Sequence, residues 1–469
     1  MEISRAESFL LQVPTRREIA DSMQTFHFIE FVGINISTDE GITGTGYTLT
    51  VGAGGSVIKE VLDKLFAERL IGKDPFNVKE IWHQLYYGKS HWIGRAGATT
   101  MAQSAVDLAL WDIIAKSARR PLWQVLGGCR TADIPIYNTD AGWLNRTEDE
   151  LRGEMLELLG EGYTALKMKV GKPDPREDYR RVKAVREAIG DDVILMVDVN
   201  QSWDLMTASI WGKKLEEFNL TWLEEPLHPD DIKGHRLLKK AVSIPIALGE
   251  HIYTTHSFRD YIENAAVDVI QVDVCRIGGI TPWMEVAAMA NVNNIRVCPH
   301  AGDLMQVHQH LVKAIPNSWY LEVIPYRGEV LFEYPIQLKE GVCITPLASG
   351  ASTEFAEEAF AKILDFYGIK WQYEPRTFPL EWNEKGEVIT AFTPDFYLPS
   401  QDLYIELTTL RPKLTTIKNR KVRLMQELYP EIHIKLMRRR EMRDMMVKYG
   451  LYENLDGIQG TEAQKRVNG

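Results

Sequence analysis

Cysteine is scarce in this sequence, and long apolar runs are missing. Its 469 residues include four cysteines, Cys129, Cys275, Cys298 and Cys343, none of them in a C-x-x-C pair. This scatter argues against a disulfide framework and a zinc site, and it fits a reducing cytoplasm. No window approaches the roughly 18 apolar residues of a membrane span, and no apolar run follows the N-terminal charges. We therefore expect a cytoplasmic protein that does not enter a membrane.

Positive charge is not in excess overall, but it is unevenly distributed. The formal net charge of −11 argues against a protein that binds polyanions along its whole length. Residues 1–354 contain 36 basic and 48 acidic residues, whereas residues 355–469 contain 18 and 17. Within 411–448 there are 12 basic residues against 4 acidic ones. Length and charge together predict more than one domain, with a different electrostatic role for the last.

The order of the sequence patterns predicts an α/β protein with a (β/α)₈ barrel. Residues 1–130 mix alternating strand patterns with helical ones, which is typical of a small α+β domain. From about residue 133, short apolar strands recur every 20 to 30 residues, with amphipathic helical stretches between them. The eight predicted strands are DIPIYNTD, ALKMKVG, VILMVDVN, TWLEEP, PIALGE, DVIQVDV, IRVCPH and YLEVIP.

The second of these strands has lysines on one face and apolar residues on the other. Side chains alternate along a strand, so a half-buried strand would normally direct Lys167 and Lys169 to water. In a barrel, however, strand faces meet either the outer helices or the interior, and catalytic groups lie at the carboxyl ends of strands. Nearly every predicted strand ends in an ionisable side chain, which favours inward lysines. These end residues are Lys167, Lys169, Asp198, Asn200, Glu224, Glu225, Glu250, Asp273, His300 and Glu322.

Three of these acids predict a magnesium site. Asp198, Glu224 and Glu250 end three consecutive strands, each 26 residues from the last. Carboxylates that converge from neighbouring strands form the hard oxygen site that Mg²⁺ prefers. Any one of the three, taken alone, would more simply be a surface charge. Asn200 is a candidate for the metal's surroundings or for the substrate, and a helix N-cap explains it equally well.

The remaining charged strand ends suggest proton transfer. Asp273 could fix the tautomer of His300 and raise its basicity, although a lone strand-end histidine is often structural. Neighbouring charge could lower the pKa of Lys169 until it accepts a proton. Lys167 and Glu322, the latter as a protonated acid or hydrogen-bond donor, could take up oxyanion charge. Together with Mg²⁺ on a substrate carboxylate, these groups suit removal of an α-proton through an enediolate.

These motifs resemble the enolase superfamily, specifically the mandelate racemase subgroup, over residues 1–354. The resemblance is carried by K-M-K, D-V-N, L-E-E-P, G-E, the aspartate before C-P-H, and L-E-V-I-P-Y. It implies a capping domain over 1–130, a barrel over 131–327 and a return to the cap over 328–354. It also implies a carboxylate triad for the metal, with Lys169 as one base and the His300–Asp273 pair as the other.

Many members of that subgroup are acid-sugar dehydratases, and others are racemases or epimerases that use the same residues. The resemblance thus implies a lyase that converts an acid sugar to a 2-keto-3-deoxy acid, in a homo-oligomer, with His300 also helping hydroxide to leave. The racemase or epimerase reading remains open. The stretch YGKSHWIGRAG is a candidate for contact with the distal end of the substrate through His91 and Arg95, or it is simply a structural loop.

Residues 355–469 are not needed for that fold, and part of them resembles a PD-(D/E)xK nuclease. Pro394-Asp395 precedes Glu406 by eleven residues, with Glu357 or Glu358 on a helical stretch before them. In that family such acids hold Mg²⁺. A buried hairpin acid satisfied by turn amides is the alternative.

The nuclease pattern departs from its family at one position. Thr408 stands where a lysine is expected, which puts hydrolysis in doubt, and Lys418 or Lys421 would have to substitute for it. The basic span from Arg411, including 438–440, favours contact with nucleic acid, although a solvated basic helix explains it as well. No Gly/Ser linker precedes this region, so natural fusion, accessory domain and artificial join all remain open.

Overall fold

The structure is a computed structural model, and the chain divides into two compact units. It describes residues 1–324, 332–355, 370–373, 376–382, 388–392, 394, 396–407 and 412–437. The first unit comprises Met1–Ile36 and Gly44–Glu354, and the second comprises Ser37–Thr43 and Phe355–Gly469.

A cylinder of eight parallel strands forms the centre of the first unit, which confirms the predicted strands and their order. Seven strands pair in chain order, the last strand pairs with the first, and a parallel bridge between Val297 and Ser318 closes the ring. The strands are β4 (Ile134–Asn138), β5 (Ala165–Lys169), β6 (Ile194–Asp198), β7 (Leu223–Glu224), β8 (Ile246–Leu248), β9 (Val269–Ile270), β10 (Arg296–Val297) and β11 (Leu321–Val323).

Helices follow the barrel strands and begin at polar caps. Thr147 and Glu150 form a reciprocal capping box, and Asp174, Asp204 and Thr254 each accept a backbone N–H of the helix that they start. The helices are α7 (Glu148–Gly160), α8 (Pro175–Ile189), α9 (Leu205–Leu215), α10 (Ile232–Ala241), α11 (Thr255–Glu263), α12 (Val274–Ile277), α13 (Ile280–Val292) and α14 (His308–Ala314). A 3₁₀ turn, Glu216–Phe218, extends α9.

The barrel interior changes from apolar to charged along its axis. One layer is a cluster of buried apolar side chains contributed by all eight strands and their flanks: Tyr137, Ala165, Met196, Trp222, Ala247, Val269, Cys298 and Tyr320. Two residues further along β5, Lys167 is also fully buried, because alternation directs it inward while Leu166 and Met168 face the helices. The apolar layer therefore lies directly beneath the charged groups in the barrel interior.

The capping part of this unit is an antiparallel sheet with helices packed on it. Its strands are β1 (Ile3–Ala20), β2 (Thr25–Thr38) and β3 (Thr43–Val51), paired in that order. Its helices are α1 (Gly55–Val61), α2 (Ala67–Leu70), α3 (Val78–Tyr86), α4 (Lys89–Ile93), α5 (Ala98–Ser117) and α6 (Leu122–Val125), with a π-helical turn at Leu62–Phe66. Helix α5 is buried on nearly all sides and joins cap to barrel, since Asp107 accepts from the Thr281 hydroxyl at 2.7 Å.

The last residues of the first unit return to the cap. Strands β12 (Leu338–Lys339) and β13 (Val342–Cys343) form a hairpin, and β13 pairs antiparallel with β4. Further along, Ala351 N donates to Asp112 on α5 at 2.8 Å, and Thr353 Oγ1 donates to the carbonyl of Thr45 on β3 at 2.5 Å. Glu354 also forms an ion pair with Lys116. The cap is thus built from both ends of the unit.

The second unit contains a mixed sheet and a two-stranded ribbon. Its elements are β14 (Gln372–Tyr373), β15 (Phe378–Trp382), β16 (Val388–Phe392), β17 (Phe396–Leu398), β18 (Leu403–Leu407), α15 (Pro412–Leu428) and β19 (Ile434–Met437). The sheet order is β14-β17-β18-β19, in which β17 and β18 are antiparallel and β18 and β19 parallel. Apolar residues of the ribbon, sheet and helix, including Phe378, Met425 and Ile434, form its core.

In the part of the chain that the structure describes, every helix is too short or too polar to cross a membrane.

Candidate active site at the carboxyl end of the barrel

The three predicted metal ligands lie side by side at the ends of neighbouring strands. Asp198 ends β6, Glu224 ends β7 and Glu250 follows β8, so parallel pairing brings them to one edge. All three are buried, and one oxygen of each lies within 4.8 Å of the others. Buried oxygen donors at this spacing fit the preference of Mg²⁺ for hard ligands.

Hydrogen bonds fix the outer oxygens of this triad. Trp222 Nε1 donates to Glu224 Oε2 at 2.9 Å, and the backbone N–H of Asn200 donates to Asp198 Oδ1 at 2.9 Å. Burial, and then the charge of Asp198, raise the pKa of Glu224 to about 8 against the lowering effect of Lys167. Crowded buried carboxylates repel one another, so this cluster favours a bound cation or a bound proton.

Lys167 connects the triad to the opposite side of the barrel. Its Nζ lies 2.6 Å from Glu224 Oε1, 2.7 Å from Glu322 Oε1 and 3.7 Å from Asp198 Oδ2. Burial lowers the pKa of this lysine, but Glu224 and Glu322 outweigh it and hold the pKa well above its usual value. Lys167 is therefore a fixed positive charge at the centre of the site.

Lys169 stands at the mouth, one step above Lys167. Its Nζ lies 2.5 Å from Asp198 Oδ2 and 5.6 Å from the ring centroid of Trp143. Burial and the charge of Lys167 lower the pKa of Lys169, but Asp198, Glu250 and Asp21 together outweigh them, so the net shift is upward. Without a bound cation, the pKa of Lys169 is therefore raised and not lowered, because three carboxylates act on the ammonium against one lysine.

His300 lies between the aspartate predicted as its partner and a metal ligand. Its Nδ1 is 2.8 Å from Asp273 Oδ2, and its Nε2 is 2.9 Å from Glu250 Oε2. Burial lowers the pKa of the imidazole, but Glu250 and Asp273 outweigh burial and hold the pKa well above the usual value. His300 is therefore an imidazolium, with a proton available at the mouth.

Glu322 differs from its expected role as a protonated acid. Its carboxylate accepts hydrogen bonds from Thr139 Oγ1 and from the Ala301 backbone N–H, both at 2.7 Å, besides its ion pair with Lys167. Burial alone would raise the pKa of Glu322, but the charges of Lys167 and His300 lower it to about 2. The side chain is ionised, so it positions Lys167 and donates no hydrogen bond.

Asn200 lies beside the triad and is not a helix cap. It has a positive φ of 44°, and the N-cap of the next helix, α9, is Asp204 instead. The Asn200 side chain is buried, and its Oδ1 has no hydrogen-bond partner among the described residues. The capping explanation is therefore wrong, and a role for Asn200 beside the metal or with the substrate stays a prediction.

Three further side chains, Gln201, Glu225 and His251, lie beside the triad. The sequence analysis assigned none of them a role. Glu225 accepts from Gln201 Nε2 at 2.8 Å, and His251 Nδ1 lies 2.9 Å from Glu225 and 3.1 Å from the metal ligand Glu250. Glu225 and His251 directly follow the triad residues Glu224 and Glu250, and Gln201 follows Asn200. Glu225 and Gln201 both have positive φ, 38° and 67°, a backbone conformation that sequence patterns do not reveal. The only sequence signal was the second acid of the E-E pair.

A loop of the cap docks on the Lys169 side of the mouth. Ser22 Oγ donates to the carbonyls of Val199 at 2.8 Å and Asn200 at 3.0 Å. Gly171 allows this approach, because a Cβ there would lie 3.1 Å from the Ser22 Cβ and its φ is +104°. Asp21, next to Ser22, adds negative charge near Lys169. The sequence interpretation missed this loop.

The other cap segment, predicted to reach the substrate, is a short helix and the turn after it. His91 lies on α4, with its ring stacked on Tyr87 at 5.3 Å and edge-on to Tyr86 at 5.4 Å. Arg95 follows the helix and is exposed. Contact of either residue with a substrate stays a prediction.

The predicted second site is only partly within the described residues. Glu406 is buried on β18, with 3% of its surface exposed. Glu357, Glu358, Asp395 and Thr408 lie outside the described residues, as do the side chain of Lys418 and residues 438–440. Lys421 on α15 lies 5.7 Å from the ring centroid of Phe392.

Two family models match the chain. The N-terminal domain of mandelate racemase / muconate lactonizing enzyme matches residues 5–127, and the Enolase C-terminal domain-like model matches residues 150–359. The first spans the cap, and the second spans every residue of the triad and both proton-transfer candidates.

Known proteins resemble the chain over most of their own length. A 3,6-anhydro-alpha-L-galactonate cycloisomerase of Streptomyces coelicolor is 33% identical over 345 residues, which cover 73% of this chain and 94% of that protein. An L-talarate/galactarate dehydratase of Salmonella typhimurium is 37% identical over 306 residues, covering 65% and 75%. A crystal structure of L-talarate dehydratase from Polaromonas sp. JS666, complexed with Mg and L-glucarate, superposes with a TM-score of 0.72 at 32% identity, covering 77% and 96%.

Proposed function

The chain belongs to the mandelate racemase / muconate lactonizing enzyme family of the enolase superfamily, and on that premise we propose that it is a Mg²⁺-dependent acid-sugar dehydratase. The reaction removes the proton from the carbon next to the carboxylate, Cα, and expels the 3-hydroxyl as water. The product is a 2-keto-3-deoxy acid. We also propose a cytoplasmic homo-oligomer. The observation that carries the function is the pair of proton-transfer groups, Lys169 and His300, that flank one three-carboxylate cluster.

The cluster supports the proposed metal. Asp198, Glu224 and Glu250 would hold Mg²⁺, which supplies positive charge for the substrate carboxylate as the α-proton leaves. Lys167 directs its ammonium into the same region from below, and the ionised Glu322 holds that ammonium in place. These groups are fixed before substrate binds, which is the condition for effective electrostatic stabilisation.

Lys169 is the proposed base. Lys169 Nζ forms an ion pair with Asp198 Oδ2 at 2.5 Å, which stabilises the ammonium form of the side chain. The amine can accept a proton from the substrate only when the charge of that carboxylate is engaged elsewhere. As a metal ligand, Asp198 would share its charge with the cation, and the pKa of Lys169 would fall toward the range in which the amine accepts a proton. The α-proton of the substrate would pass to Lys169 Nζ.

His300 is the proposed acid for the leaving group. The imidazolium is oriented by Asp273 on one side and approaches Glu250 on the other, so its proton lies beside the triad. Donation of that proton to the 3-hydroxyl releases water, which balances the proton taken by Lys169. A racemase or epimerase would instead use His300 to return a proton to the same carbon, and it would release no water.

The test is a screen of the purified protein with Mg²⁺ against mono- and diacid sugars. We expect at least one acid to give a 2-keto product, detected by its semicarbazone absorbance. Water loss distinguishes the dehydratase from the epimerase. An epimerase would leave the mass of the substrate unchanged in H₂O, and it would incorporate deuterium at Cα in D₂O. If no acid in the panel is converted and none exchanges its α-proton, the proposed function is wrong.

A second candidate function, nucleic-acid binding or nuclease activity, concerns residues 355–469. Strands β17 and β18 pair antiparallel, helix α15 with its basic sequence follows them, and Glu406 is buried on β18. We expect the full chain to bind duplex DNA at low salt and to lose affinity steeply as salt rises, because phosphate contacts release counterions. Charge reversal at Arg438, Arg439 and Arg440 should weaken this binding. Absence of binding at 50 mM salt would exclude the candidate.

A further inference from the structure

A guanidinium lies at the mouth on the side of His300, and the proton-transfer scheme does not use it. Arg276 is on α12, three residues after Asp273, in the turn that follows β9. Its neighbours on that turn, Val274, Cys275 and Ile277, are fully buried, whereas Arg276 itself is partly exposed. Arg276 is therefore the residue of this turn that has accessible surface, and its charge lies within electrostatic range of Asp273 and Glu250.

The Arg276 side chain has an unmet hydrogen-bonding requirement. Its Nε is buried and has no partner among the residues that the structure describes. Burial lowers the pKa of the guanidinium, and Tyr253, Cys275, Asp273 and Glu250 raise it by more, so the group is charged. The guanidinium therefore has hydrogen-bonding capacity that the described residues do not use.

The acids near Arg276 already have partners of their own. Asp273 accepts from the Cys275 backbone N–H at 2.8 Å and pairs with His300, while Glu250 pairs with His300 and His251. Glu250 is also a proposed metal ligand. Among the residues that the structure describes, Arg276 therefore forms no ion pair with a carboxylate of its own.

We propose that Arg276 binds a second carboxylate of the substrate, so that the preferred substrates are acid sugars with a carboxylate at each end. This inference rests on the proposed function, in which the carboxylate next to the reacting carbon belongs to the metal site. A planar guanidinium matches a carboxylate better than a single hydroxyl does, because it can donate two parallel hydrogen bonds.

The experiment compares diacids and monoacids of the same configuration, such as galactarate and galactonate, on the wild type, R276Q and R276K. We expect the wild type to prefer the diacids. R276Q should bind the preferred diacid roughly 10- to 100-fold more weakly, as is usual for loss of a charged hydrogen-bond partner, and should bind the matching monoacid almost unchanged. R276K, which keeps the charge without the fork, should lie between them. Binding is measured by calorimetry with Mg²⁺, and KM and kcat by keto-acid formation.

Control measurements separate this role from damage to the fold. Mg²⁺ affinity and melting temperature should be the same in all three proteins. R296Q is the matched variant, because Arg296 lies at the start of β10, stacked 4.2 Å from the ring centroid of Trp319, and its loss should not alter the diacid preference.

The outcomes also separate this inference from the proposed function. If the wild type converts a diacid that R276Q binds equally well, or if monoacids are preferred, the function stands and the role of Arg276 is wrong. If the wild type neither binds nor converts any acid, the proposed function fails and this inference fails with it.

Discussion

Lys169→Met should lower kcat by roughly 10⁴-fold while the protein still folds and binds Mg²⁺, as expected for loss of a positioned base. The substitution removes the ammonium 2.5 Å from Asp198 and leaves all three carboxylates in place. Metal affinity should therefore be equal or higher, because a competing positive charge is gone. The measurements are steady-state formation of the keto acid and calorimetric titration with Mg²⁺.

The matched control is Lys172→Met, three residues along the chain. Lys172 forms a surface ion pair with Glu177 at 3.3 Å, so its loss should leave kcat within about twofold of the wild type. His300→Asn should be as inactive as the Lys169 variant if both groups are needed for elimination. A Lys169→Met protein that keeps more than a tenth of the wild-type kcat would contradict the assignment of this lysine as the base.

Glu224→Gln should remove both activity and the thermal stabilisation by Mg²⁺. We expect kcat/KM to fall by at least roughly 10³-fold, because the metal contributes several kcal/mol to charge stabilisation. In EDTA the variant should melt at or above the wild-type temperature. The reason is that burial and the charge of Asp198 raise the pKa of Glu224, so its charged form is disfavoured in the metal-free protein, and glutamine resembles the neutral form.

The same pKa predicts how Mg²⁺ binding depends on pH. The folded value of about 8 lies above the ordinary 4.5, so the folded protein binds more protons than the unfolded chain across that interval, and stability in EDTA falls as pH rises. Mg²⁺ displaces the proton, so its affinity should rise up to about tenfold per pH unit below pH 8 and then level off. Glu224→Gln should lack this dependence.

Glu217→Gln is the matched control for the Glu224→Gln variant. Glu217 accepts from the hydroxyl of Tyr179 at 2.8 Å on the surface, away from the triad. Its substitution should leave activity, Mg²⁺ stabilisation and pH dependence as in the wild type. The triad assignment fails if Glu224→Gln remains active or is still stabilised by Mg²⁺.

The strands and the triad could be predicted because both depend on local pattern. Alternation fixed which face of β5 carries Lys167 and Lys169, and parallel strands necessarily bring Asp198 and Glu224 to one edge. The Asp273–His300 pair follows from the same geometry. Period and strand ends are properties of short segments, so a single sequence contains them.

The charge states of the site and the contacts among Gln201, Glu225 and His251 could not be predicted in this way. Lys169 and Glu322 have pKa shifts opposite to those expected, because each shift sums burial with several charges whose distances only the folded chain defines. The contact of Gln201 and His251 with Glu225 likewise depends on left-handed backbone turns at strand ends. The docking of Ser22 depends on loop geometry between cap and barrel.

The closure of the cap by residues 350–354 has a consequence for how the protein is made. Thr353 donates to the carbonyl of Thr45, a partner 308 residues earlier in the chain. A ribosome that adds about 5–20 residues per second needs roughly 15 to 60 s to cover that distance. During this interval the nascent N-terminal sheet lacks the segment that completes it. We therefore expect the emerging chain to depend on chaperones until its first 354 residues have left the exit tunnel.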